Sequence, residues 1–165
     1  MGLDMYLTAT KRVDKINWKT IQGDNKLSLD SPEAIEPQFS NLMELTQLTD
    51  VATDIYGASV QVTCAYWRKA NQIHNWFVTN IQEGIDNCRE YYVSQDQLKQ
   101  LLAVCEKSLK ERNPNLLPPT EGFFFGGTDV DQYYWKDIKD TIEQLNRLLA
   151  LPDINELAFS YQSSW

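Results

Sequence analysis

One histidine, His74, stands among 165 residues, which excludes any metal site built on two histidines. Cys64, Cys88 and Cys105 are odd in number and widely spaced, with neither a CxxC pair nor a zinc-knuckle spacing, so free buried thiols are expected. The chain has no GxSxG elbow, no GxxxxGK[ST] phosphate loop and no GxGxxG fingerprint. No apolar stretch approaches the ~20 residues that span a bilayer, and the first residues lack a basic region followed by an apolar run. A soluble protein of a reducing cytoplasm, without a membrane partner, is the expectation. Gly2 invites myristoylation, but Tyr6 stands where that signal wants Ser or Thr. Positive charge is also scarce: 15 Lys and Arg face 23 Asp and Glu, a net −8, which argues against general nucleic-acid binding.

What is present is a globular composition, 42% hydrophobic and 12% aromatic, in a length that suits one domain over 1–165. Gly2 to Thr10 alternates Leu3, Met5 and Leu7 against Asp4, Tyr6 and Thr8, the period of a half-buried strand with an odd-numbered core face. From 11 to 56 the pattern degrades, with turn signals at Gly23-Asp24-Asn25, Ser31-Pro32 and Glu36-Pro37, and reads as an irregular insertion. Ala58 to Thr63 alternates again and predicts a second strand.

Three helices follow. In the first, Ala65 to Val78, Tyr66, Ala70, Ile73 and Phe77 recur at helical spacing. The second starts at Ser94, which forms a Ser-x-x-Gln capping box with Gln97 and presents Leu98, Leu101, Leu102, Cys105 and Leu109 to the core. The third starts near Thr128 or Asp129 and carries Tyr134, Ile138, Ile142, Leu145 and Leu149 until Pro152 ends it. The C-terminal extension, 152–165, contains Ile154 to Tyr161, a candidate last strand beside the first. The fold class is therefore α+β: about three main helices packed with a small sheet that includes the N-terminal strand.

The candidate chemistry concentrates on the Ala65 segment. No Asp or Glu lies between Asp54 and Glu83, a run of 28 residues that points to an anionic partner. Trp67 offers a stacking face, Arg68 and Lys69 offer cations, and Asn71 with His74 offers directional hydrogen bonds, the residue types of a nucleotide-like site. On a helical wheel Trp67 and His74 equally suit a core position, so both readings stand. Arg68, Gln72, Asn75 and Thr79 form a polar strip.

Gly122-Phe123-Phe124-Phe125-Gly126-Gly127 reads either as a core plug or as a loop whose amides bind an anion, and Phe124 and Phe125 are candidate ligand contacts. Of Tyr133, Tyr134 and Trp135, at least one must face away from the core and wall a pocket; Tyr134 joins the candidates. Cys88 with His74 is a conceivable nucleophilic pair, and Asp4, Asp137 or Glu143 conceivable partners of His74 in a nucleotide-processing enzyme. Glu83, Asp86 and Glu90 read as a solvated turn rather than a metal cluster. No metal or cofactor is expected.

The blocks MGLDMYL at 1–7, AYWRKAN at 65–71 with Ile73-His74 and Trp76-Phe77-Val78, YYVS at 91–94 and FFFG at 123–126 resemble those of a small family of phage and prophage proteins. The resemblance covers about half the chain and implies action in a host bacterial cytoplasm, with no catalytic residue attached to it. It brings no settled activity; taken with the absence of enzymatic motifs and the aromatic and cationic Ala65 segment, the leading expectation is a binding protein that sequesters a small anionic host defence signal, such as a cyclic nucleotide or an NAD-derived messenger. A module that inhibits a host protein through its acidic surface, and an enzyme using His74, are the alternatives. A homo-oligomer is compatible with each.

Overall fold

The computed structural model describes residues 2–23, 27–29, 31–50 and 55–165. The fold is α+β, with helices and a four-stranded antiparallel sheet that includes the N-terminal strand. The strands are β1 (Asp4–Asp14), β2 (Gly57–Arg68), β3 (Tyr91–Val93) and β4 (Leu157–Ser164), in the order β2-β1-β4-β3. The helices are α1 (Trp18–Gly23), α2 (Pro37–Thr46), α3 (Asn71–Asn80), α4 (Gln95–Glu111) and α5 (Gln132–Leu149). Contacts divide the chain into two compact units, one running to Ala9 and resuming over Val62–Trp165, the other Thr10–Gln61.

In the first unit the alternation of β1 decides which residues are core. Leu3, Met5 and Leu7 are wholly buried, each burial stabilising by roughly 1.5–3 kcal/mol. The C-terminal segment pairs in the sheet as β4, where Phe159 and Tyr161 are buried and face Val93 and Tyr91 of β3 in register. Phe77 of α3 stacks on Tyr161 at 3.8 Å between ring centroids, nearly parallel, which seats that helix against β4. α4 and α5 pack together, and the capping box at Ser94 forms: Gln97 N–H donates to Ser94 Oγ, and Ser94 N–H donates to Gln97 Oε1. Leu98, Leu101 and Cys105 are fully buried, whereas Leu102 and Leu109 are half-buried. α5 begins at Gln132, later than Thr128 or Asp129, because Asp131 accepts hydrogen bonds from Tyr133 and Tyr134 N–H and fixes the start.

The expected helix from Ala65 is corrected. β2 continues to Arg68, and over its last four residues burial alternates, with Ala65 and Trp67 inside and Tyr66 and Arg68 outside. Lys69 then turns the chain at φ 60, a left-handed conformation that costs a residue with a Cβ roughly 1–2 kcal/mol. Its N–H donates to Leu3 C=O and its C=O accepts from Asn71 N–H, so pairing with β1 and the first turn of α3 hold it there. The helical spacing of Ala70, Ile73 and Phe77 is real, while Tyr66 belongs to the strand and is 45% exposed.

The second unit corrects the irregular reading of 11–56. It holds the far ends of β1 and β2 with α1 and α2, around a small core of Val13, Phe39 and Met43. Glu36-Pro37 does open a new element, since Pro37 is the first residue of α2, where its missing N–H is harmless. Asp24 and Asn25 of the expected turn lie outside the described residues.

Candidate functional site

A cavity of about 390 Å³ lies in the first unit where β2 gives way to α3. Arg68 and Lys69 form one side, Asn71 and Gln72 of the first turn of α3 continue it, and Pro119, Gly126 and Gly127 of the Phe loop close the edge. The rest of the lining is Asp129, Asp131, Tyr133, Tyr134 and Asp137, from the start of α5 and the residues before it. Two cations and three carboxylates therefore share the lining of one small space.

Asn71 builds this arrangement. Buried at the first position of α3, it donates from Nδ2 to the carbonyls of Gly127 at 2.8 Å and Phe125 at 3.3 Å, and its Oδ1 accepts from Thr120 N–H. Its hydrogen-bonding capacity is committed to holding residues 120–127 beside Lys69. Gly126 is favoured there by its backbone, whose φ is 90, while a Cβ at that position would make an ordinary contact, 3.4 Å from Lys69 Cβ. Lys69, in its left-handed turn, and Gly126 thus lie side by side at the cavity edge.

Gln72 is 3% exposed, and its Nε2 donates to Tyr134 C=O and Asp137 Oδ2, each at 3.4 Å. Burial pushes the Asp137 carboxyl above its ordinary range, and the Gln72 contact opposes that shift. Asp131 is engaged as the cap of α5, its Oδ1 accepting from Tyr133 and Tyr134 N–H at 2.8 and 3.1 Å. Arg68 has a 62% exposed side chain and only a loose ion pair, 3.9 Å, with Asp4. Tyr133 is 66% exposed, and its ring is the outward-facing aromatic among 133–135.

Of the residues singled out from sequence, Arg68, Lys69, Asn71 and Tyr134 line the cavity, and Trp67, His74, Phe124 and Phe125 do not. Trp67, 4% exposed, points to the other face of β2 and donates from Nε1 to Thr141 Oγ at 2.8 Å. The Phe triplet separates: Phe123 is 94% exposed, Phe124 gives its carbonyl to Leu3 N–H, and Phe125 alone is buried. Gly126 and Gly127, not the rings, bring that loop to the cavity.

His74 belongs to a different cluster. Fully buried, it shares a 2.8 Å hydrogen bond between Nδ1 and Tyr161 OH, while Nε2 lies 3.1 Å from Asp86 Oδ2 but too poorly aligned for a formed hydrogen bond. The Phe125 ring packs edge-on at 4.9 Å. Burial lowers the His74 pKa, and the Asp86 carboxylate only partly offsets this. Asp86, not Asp4, Asp137 or Glu143, is its carboxylate neighbour: Asp4 bonds Tyr66 OH, and Asp137 faces Gln72. Cys88, expected buried, is exposed, because it lies in the open stretch before β3 where its carbonyl accepts from Gln162.

Gln72 and Asp137 are 65 positions apart, so no local pattern pairs them; the one sequence signal was that Tyr133, Tyr134 and Asp137 fall within a helical turn. Among the described residues no three His, Cys, Asp or Glu side chains are grouped to hold a metal ion, and no helix is long and apolar enough to cross a membrane. No family model, curated protein or solved structure matches this chain.

Proposed function

We propose that this protein binds and sequesters a small nucleotide-like ligand that is anionic at one end and rich in hydrogen-bond donors at the other. The observation that carries the reading is the composition of the cavity: Arg68 and Lys69 suit a phosphate, while the carboxylates of Asp129 and Asp137 in the same lining suit sugar hydroxyls and base N–H groups. Its volume of about 390 Å³ sits at the small end of the roughly 300–1,000 Å³ of ligand pockets, the scale of one nucleotide. Tyr133 supplies an aromatic face at the wall. The resemblance to phage and prophage proteins makes a host bacterial cytoplasm the setting and a nucleotide-derived defence signal, cyclic or NAD-derived, the ligand class. The protein then acts by occupancy: His74 and the three cysteines lie away from the cavity lining.

Titration calorimetry against nucleoside monophosphates, cyclic nucleotides and NAD-derived messengers tests the reading. At least one is expected to bind at micromolar concentration. Arg68→Ala should weaken that binding by about 10- to 100-fold, the worth of a charge-assisted hydrogen bond, with the melting temperature unchanged. No heat of binding from any member of the panel overturns it.

A further inference from the structure

His74, Asp86, Trp165 and Phe125 close a ring of contacts outside the cavity lining. His74 meets Asp86, Asp86 accepts from Trp165 Nε1–H at 3.2 Å on Oδ1, the Trp165 ring stands edge-on to Phe125 at 6.2 Å, and Phe125 returns edge-on to His74. The protons of this ring can be placed. A lone pair on His74 Nε2 would face the Asp86 carboxylate at 3.1 Å, so Nε2 carries the N–H of the neutral imidazole. Nδ1 is then an acceptor, and Tyr161 O–H donates to it at 2.8 Å. Nε2–H remains a buried donor out of line with its neighbour.

A second proton has to enter at Nδ1 and turns it into a donor, so the Tyr161 O–H must point elsewhere. Ser163 is the acceptor at hand. Its Oγ is fully buried, makes no aligned hydrogen bond among the described residues, and lies beside the Tyr161 hydroxyl on the same face of β4. On the other side of the ring the imidazolium makes Nε2–H a charge-assisted donor, which draws Asp86 into line. Trp165 holds that carboxylate by a neutral N–H alone and loses the competition.

We propose that His74 is a proton-operated latch: protonation at Nδ1 turns the Tyr161 hydroxyl to Ser163, pulls Asp86 onto Nε2 and releases Trp165 from Asp86 and Phe125. Asp86 is the one charged group that acts on His74 among the described residues; β4 offers it the hydroxyls of Tyr161 and Ser163, and the Phe loop only the Phe125 ring. Burial disfavours the imidazolium, so the latch is closed at neutral pH and opens in acid. Trp165 is 44% exposed and has solvent to move into, whereas Phe125 is 7% exposed and is uncovered when it leaves. The device does not depend on what the cavity binds, yet it reaches the cavity edge, because Phe125 continues as Gly126 and Gly127 of the lining.

A single histidine makes the test direct. In NMR titrations of the full chain from about pH 8 to 4, the imidazole signals report His74, and the Trp165 indole N–H, identified by its absence from Trp165→Phe, reports the latch. The Trp165 signal should shift with the His74 midpoint, below about 6.5, while the other indole signals hold. His74→Gln should abolish that shift. A Trp165 signal that stays still through the His74 midpoint, or that moves in His74→Gln as in wild type, overturns the latch. Movement of every indole signal together marks unfolding of the whole chain and overturns it as well. Should His74→Gln fail to fold by circular dichroism, Asp86→Asn decides: the His74 midpoint should fall further and the Trp165 response vanish, and a response that persists refutes the proposal.

Discussion

Replacing Trp67 by alanine removes an indole that is 4% exposed, packed 5.9 Å from the Phe77 ring and hydrogen-bonded to Thr141. Deleting a buried Trp costs about 3–5 kcal/mol, and the Thr141 hydroxyl, which still donates to Asp137 C=O, loses the N–H it accepts from. For a chain of this size each kcal/mol moves the melting temperature by about 2–4 °C, so Trp67→Ala should melt roughly 6–20 °C below wild type. Arg68→Ala, one residue on and outward-facing, should stay within about 0.5 kcal/mol. Trp67→Phe should fall between, since a ring remains but the hydrogen bond is gone, a loss of about 1 kcal/mol plus a smaller packing defect. Melting curves by circular dichroism, with urea titration to convert shifts to free energies, make the comparison. The reasoning fails if Trp67→Ala melts with wild type and instead loses ligand, because Trp67 would then be a surface stacking residue and the strand phase through 65–68 would be inverted.

The remaining expectations concern protons and thiols. Burial holds His74 neutral in the folded protein with a lowered pKa, whereas unfolded chain protonates it near 6.5, so the unfolded state takes up more protons on acidification. Stability is therefore fully present above about pH 6.5 and declines as the pH falls below it; His74→Gln should flatten that limb in melting temperatures recorded from pH 5 to 8, and an unchanged limb refutes the assignment. Burial pushes the Cys64 thiol up to about 11 and Cys105 to about 12, whereas Cys88 is exposed. Brief alkylation of the native protein at pH 8, read by peptide mass spectrometry, should modify Cys88 first and the other two only after unfolding; early labelling of Cys105 would contradict its burial.

Residues whose neighbours lie close in sequence were the legible ones. The odd face of β1, the Ser94 capping box and the apolar stripe of α5 follow from alternation, a four-residue motif and helical spacing, each complete within one segment. The stretch 65–70 was misread because Ala70, Ile73 and Phe77 do share a helical face and Tyr66 extends their spacing by coincidence. What makes 65–68 a strand is pairing with β1, sixty positions away, and Lys69 makes its left-handed turn without the Gly or Asn that would announce one. The second unit was missed for a related reason, since its core rests on three residues, Val13, Phe39 and Met43, spread over thirty positions. In the candidate site, Arg68 and Lys69 stood out by charge, but the carboxylates of the lining come from α5 and the residues before it, and only the tertiary fold brings them together.

Those carboxylates change what the acid-free run from 55 to 82 means. Taken alone it promises an electropositive patch for an anion. With Asp129, Asp131 and Asp137 in the same lining as Arg68 and Lys69, the cavity carries a formal net charge of −1. A bare phosphate is attracted by the two cations but, by charge count, repelled by three carboxylates, so inorganic anions should bind weakly. A ligand that covers the carboxylates with its own N–H and O–H groups removes that penalty and keeps the cationic contacts. Discrimination then resides in the carboxylate wall, and the cations supply attraction that any phosphate would share. On the proposed reading, a cavity of this kind suits capture of one nucleotide among competing phosphates, where attraction alone would leave it occupied by whichever anion was most abundant.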